Sequence, residues 1–95
     1  EVKQMKKQNI DTAKLEILID KIMLENHIMG ELYDYDSHKM SYKIIWGDWK
    51  HSHLRFEWVV GELLNKMGIK YQFSSYVTEE DGSDCYSGVH VIHFL

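Results

Sequence analysis

At 95 residues, 44% of them hydrophobic, the chain holds one domain around one core, and with 27% charged residues it is not a wholly disordered polymer. Its 11 basic and 15 acidic residues give a formal charge of −4, and Arg55 is the single arginine, which argues against phosphate-driven nucleic-acid binding. One cysteine excludes a disulfide scaffold and a multi-cysteine zinc module, and no run reaches the roughly 18 apolar residues of a membrane span. With no signal-peptide pattern, the expected location is the cytoplasm.

Residues 1–10, EVKQMKKQNI, carry Lys3, Lys6 and Lys7 and read as a flexible or helical lead-in to a single domain over 11–95. The charge is uneven: residues 1–14 sum to +2 and residues 15–95 to −6. A first helix is predicted from Asp11 to Met29. Asp11 or Thr12 caps it, and Gly30 takes the left-handed position beyond its end. Leu15, Leu18, Ile22 and Met29 form one apolar stripe, and Ile17, Leu24 and Ile28 a second, nearly opposite. A helix apolar on two sides needs cover on both, either from the N-terminal segment or from a partner subunit.

A hairpin follows, ELYDYD (31–36) and MSYKIIW (40–46), closed by Asp36 and Ser37. Pairing Tyr35 with Met40 sets Tyr33 opposite Tyr42 and gathers Tyr33, Tyr35, Met40, Tyr42, Ile44 and Trp46 on one face. The second helix is predicted from Asp48 to before Gly68, with Trp49, His53, Phe56, Val60, Leu63 and Met67 as its core stripe. Leu64 widens that stripe, and Lys50, Glu57, Glu62 and Lys66 mostly face water. A second hairpin pairs 69–78 with 85–95, with Phe73 opposite His90 and Tyr71 opposite Ile92. Its pairing stops short of Glu79 and Asp84, since opposed like charges are unfavourable.

The order αββαββ predicts an α+β two-layer sandwich. Both helices lie on one face of a four-stranded antiparallel or mixed sheet ordered 69–77, 86–94, 40–46, 31–36. This is a ferredoxin-like arrangement with its first strand moved to the C-terminus. The uncovered face presents Leu32, Lys43, Ile45, Gln72, Ser74, Tyr76, Val89, Val91 and His93. Its apolar strip of Leu32, Ile45, Val89 and Val91 beside Tyr76 is the expected face for a protein partner or a homodimer.

The densest polar cluster is GDWKHSHLR (47–55). Lys50, His51 and Arg55 near a helix N-terminus make a candidate anion site. His51 and His53 point about 200° apart on a regular helix and do not chelate one metal from it. His53 and His90 both face inward and read first as core histidines. Their convergence with a carboxylate on a metal or pH-sensitive site stays open. Glu79, Glu80, Asp81 and Asp84 crowd the second hairpin's turn without the spacing of a calcium loop, and form a candidate prong toward a basic partner surface. Cys85 has no base within local reach and reads as structural. No catalytic set, metal site or cofactor motif stands out.

The strings WGDWKHSHLR (46–55) and VTEEDGSDCYS (77–87), about a fifth of the chain, resemble small uncharacterised accessory proteins of bacterial phages and mobile elements. That resemblance implies a cytoplasmic, non-secreted protein. Such proteins include inhibitors of host defence, anti-CRISPR proteins among them, which are often small, acidic and non-enzymatic. It carries over no residue roles. The expected function is therefore a protein-binding module that inhibits or adapts a larger partner through the open sheet face, the acidic turn, or both. The alternatives are a metal- or histidine-dependent enzyme built on His51, His53 and His90, and a nucleic-acid binder using the 50–55 cluster.

Overall fold

The computed structural model describes residues 10–46, 50–80 and 86–95; positions 45–46, 50–53, 77–80 and 86–87 are described by backbone alone. Two helices and four strands follow in the expected order: α1 (Thr12–Glu25), β1 (Gly30–Tyr35), β2 (Lys39–Trp46), α2 (Lys50–Lys66), β3 (Tyr71–Glu80) and β4 (Tyr86–Phe94). The sheet order is β1-β2-β4-β3 and every pairing is antiparallel, so β4 is an inner strand and β1 and β3 are the edges. This is the predicted permuted ferredoxin-like connectivity, without a parallel pair.

Asp11 caps α1, its side chain accepting a hydrogen bond from the Lys14 N–H at 3.1 Å. The far end of α1 corrects the sequence reading. The helix closes at Asn26, and His27, not Gly30, occupies the left-handed region with φ 57°. The Ile28 N–H donates to the Met23 carbonyl at 2.9 Å and the His27 N–H to that of Leu24 at 3.2 Å, which is a Schellman closure. Ile28 and Met23 are both buried, supplying its usual apolar contact. The end of α2 repeats the motif with Gly68 at φ 73°, where the Ile69 N–H donates to Leu64 and that of Gly68 to Asn65. His27 therefore does with a side chain what Gly68 does without one. Because left-handed backbone crowds a Cβ, His27→Gly is expected to raise stability by about 0.5–1 kcal/mol in a thermal melt. A lower melting temperature would show that imidazole contacts outweigh the backbone relief.

The core gathers Leu15, Ile19 and Met23 of α1, Phe56, Val60 and Leu64 of α2, and Met40, Tyr42, Ile44 and Ile92 of the sheet. Ile10 is half-buried against it. Neither stripe predicted on α1 is quite its core face, since Ile19 and Met23 continue the line from Leu15 at spacings of four. Phe56 lies at the centre, its ring centroid 5.6 Å from Tyr42, 5.0 Å from His90 and 6.3 Å from Phe73.

Both hairpins differ from the expected registers. In the first, Tyr35 pairs with Met40 as predicted, but a bulge between Leu32 and Asp34 sets Leu32, not Tyr33, opposite Tyr42. Leu32 turns toward the core and Tyr33 is exposed. In the second, the pairing is displaced by two residues: Phe73 faces Ile92, Tyr71 faces Phe94 and Ser75 faces His90. A two-residue shift keeps every side chain on its predicted face. A bulge between Val77 and Glu79 then lets β3 run on to Glu80, with Glu79 opposite Ser87 and Glu80 opposite Tyr86. The charge conflict that was expected to stop the pairing does not arise, because the partners are neutral.

Candidate functional site

The predicted interaction face is smaller than expected. Leu32 has left it, the Ile45 side chain is outside the described set, and Val89 and Val91 are buried at 0% and 8% exposure. Val89 lies in the sheet between Lys43 and Tyr76, its direct neighbours on either side, and their long side chains flank it. Tyr76 is half-exposed. One polar contact on this face escaped the sequence reading: Ser74 Oγ lies 2.9 Å from His93 Nε2. Ser74 pairs with Val91 and Gln72 with His93, so the contact runs diagonally across the β3–β4 pair, a neighbour relation visible only once register is known.

The polar candidates separate. Of the anion-site trio, the Lys50 and His51 side chains are outside the described set, and Arg55 Nη1 donates to the Asn26 carbonyl at 3.2 Å. Arg55 thus neutralises the C-terminal end of α1 and ties α2 to it, a structural use of its charge. Of the acidic turn, Glu79 and Glu80 belong to β3 and Asp81 and Asp84 lie outside the described residues, as do Asp48, Trp49 and Cys85.

His90 faces the helices as predicted and is fully buried, its Nδ1 3.0 Å from Glu57 Oε2. Glu57, expected to face water, is half-buried and turned inward by this contact. The His53 side chain lies outside the described set. Among the described residues, no three His, Cys, Asp or Glu side chains gather as a metal site.

What the sequence did not reveal is a cleft of about 820 Å3 at the β1 edge. Glu16, Asp20 and Leu24 line it from α1, at spacings of four along one flank. Gly30 and Leu32 form the β1 wall, and Met29 approaches from the connecting turn. Glu31 and Lys43 complete its charged rim. Gly30 keeps this wall open: a Cβ there would lie 2.5 Å from Ile44 Cδ1, 2.8 Å from the Lys43 carbonyl oxygen and 2.9 Å from Met23 Cε. Burial pushes the Asp20 carboxyl above its ordinary range. Behind the cleft, burial holds the Tyr42 hydroxyl far above its ordinary range, aided by the charges of Asp20 and Glu16. The Tyr42 hydroxyl is buried without a hydrogen-bond partner among the described residues. Tyr42→Phe is therefore expected to leave stability unchanged or raise it by up to about 2 kcal/mol, read from urea unfolding. A clear loss would mean that the hydroxyl is satisfied.

Large apolar side chains stand exposed around the same edge: Ile17 and Leu24 on α1 at 68% and 78%, then Met29, Tyr33 and Tyr35. Of the second apolar stripe predicted on α1, Ile17 and Leu24 are uncovered, but Ile28 lies beyond the helix end and is buried in the core. No helix among the described residues is long and apolar enough to cross a membrane. No family model matches the chain, and no curated protein or solved structure matches it.

Proposed function

We propose that the protein is a small non-enzymatic binding module, of the phage and mobile-element accessory kind, that inhibits or adapts a larger cytoplasmic protein. The observation that carries this reading is the uncovered apolar stripe of α1 beside the cleft. Ile17 and Leu24 of α1 and Met29 just beyond it are exposed and lie close together in the chain, whereas the other exposed large aliphatic side chains among the described residues, Leu54, Met67 and Leu95, are scattered along it. Clustered exposed apolar groups rimmed by charge are characteristic of interaction surfaces. The α1–β1 edge replaces the open sheet face as the leading contact surface, because Val89 and Val91 are buried.

Photo-crosslinking tests the proposal. A benzophenone side chain at Leu24 should form one discrete adduct in the native host, lost on Ile17→Glu, while the same group at Gln72 on the opposite edge strand should not. An adduct of twice the chain mass would assign the surface to a homodimer instead. Equal labelling from both positions would remove the proposal.

A further inference from the structure

The β1 edge offers more than apolar contact, and its geometry restricts what fits. β1 is paired only with β2 among the described residues, leaving its outer row of backbone N–H and C=O groups available to another strand. The strand is six residues long, about 20 Å, enough for a short extended segment. The cleft lies between this edge and α1, where side chains of an added strand would point. A second copy of β1 is poorly suited: it would double the carboxylates of Glu31, Asp34, Glu16 and Asp20 at one edge with no added cation but Lys43 in the cleft lining.

Three carboxylates, Glu16, Asp20 and Glu31, line the cleft against one cation, Lys43. None of the three forms an ion pair with a described residue. Glu16 and Asp20 are four residues apart on one helix flank, a rise of about 6 Å. Alternate side chains on an extended strand repeat at about 6.6 Å. A strand running alongside α1 would therefore bring every second side chain to successive carboxylates.

Resting on the reading of this edge as the binding surface, we infer that the partner contributes an extended, basic segment of alternating pattern. It adds to β1 as a fifth strand, with its basic side chains turned to Glu16 and Asp20. Backbone hydrogen bonds along β1 supply register, and the charges supply selectivity. The raised pKa of the Asp20 carboxyl agrees, since a desolvated carboxylate is the group a cation relieves most.

Three capped hexapeptides test this with the intact chain: alternating Lys-Val, alternating Ser-Val and alternating Glu-Val. Binding is followed by titration calorimetry and by amide shifts at Gly30–Tyr35. The Lys-Val peptide should bind about tenfold more tightly than Ser-Val at low salt, and the gap should close near 0.5 M salt. Glu-Val should be weakest. The double variant Glu16→Gln, Asp20→Asn should bring Lys-Val down to the Ser-Val level and leave Ser-Val unchanged. Equal binding of Lys-Val and Ser-Val at β1 would overturn the basic partner while leaving the interaction surface intact. Absence of shifts along β1 with every peptide would overturn strand addition, and the crosslinking at Leu24 then decides the surface independently.

Discussion

Phe56→Ala is expected to lower the unfolding free energy by about 3–5 kcal/mol, a large share of what holds a domain of this size together. Phe56 is fully buried, and its ring meets Tyr42, Phe73 and His90 from three strands. The cavity left behind would open between β2, β3 and β4 at once, so the neighbours cannot collapse into it without moving the sheet. Small domains have about 5–15 kcal/mol in total. The variant should therefore unfold at a far lower urea midpoint, with an unchanged slope if unfolding stays two-state. Phe56→Leu, which retains most of the volume, should cost about 1–2 kcal/mol. A similar loss from both substitutions would show that ring stacking, not filled volume, is what Phe56 contributes.

The second large effect is expected at Gly30. Strand propensity alone predicts that Gly30→Ala would stabilise β1, because glycine weakens a strand. The packing predicts the opposite. The new Cβ would approach the Lys43 carbonyl at 2.8 Å, and that oxygen belongs to the backbone of an inner strand and cannot swing aside as Met23 Cε can. A loss of about 1–3 kcal/mol is expected, or a fall of roughly 5–15 °C in melting temperature for a domain of this size. The sign of the change is the test: a rise would mean that β1 can lift from β2 without penalty. Since Gly30 also forms part of the cleft wall, Gly30→Ala should weaken any ligand of that cleft beyond its effect on folding.

These two residues show where pattern reading succeeds and where it stops. Phe56 was legible, because 4-3-4-3-4 spacing on a helix has one physical meaning, and the sheet order followed from the αββαββ order and the right-handedness of crossovers. Gly30 was misread. Glycine after an apolar helix looks like a left-handed cap, yet His27 takes that conformation three residues earlier, stabilised by the Ile28–Met23 closure. The local sign of this is weak: histidine is among the few non-glycine residues enriched at positive φ, but glycine adopts that conformation far more readily and draws the eye to Gly30. Register failed for a different reason. Moving β3 by two residues against β4 leaves the same side chains facing the helices, so alternation cannot detect the shift. The Leu32 bulge was hidden because Tyr33 is as plausible a core residue as Leu32. The candidate site was the least legible part. The cleft depends on which flank of α1 stays bare, and apolar residues all round that helix do not decide it. Glu57 was assigned to solvent because its partner, His90, is 33 residues away in the chain.

The position of β4 has a consequence for how the domain forms. β4, which follows β1, β2 and β3 in sequence, is an inner strand, bonded to β2 on one side and β3 on the other. Until residues 86–94 emerge from the ribosome, the α1–β1–β2 half and the α2–β3 segment have no strand to join them. Each then has its apolar face only partly covered by its own helix. Without β4, β2 and β3 each lack one of their sheet neighbours, so closure of the sheet depends on β4 pairing on both sides. The β2–β4 pairing joins residues some 40 to 54 positions apart in sequence, and such non-local pairing slows folding. The β1–β2 pair is therefore joined to the rest of the sheet only when β4 is in place.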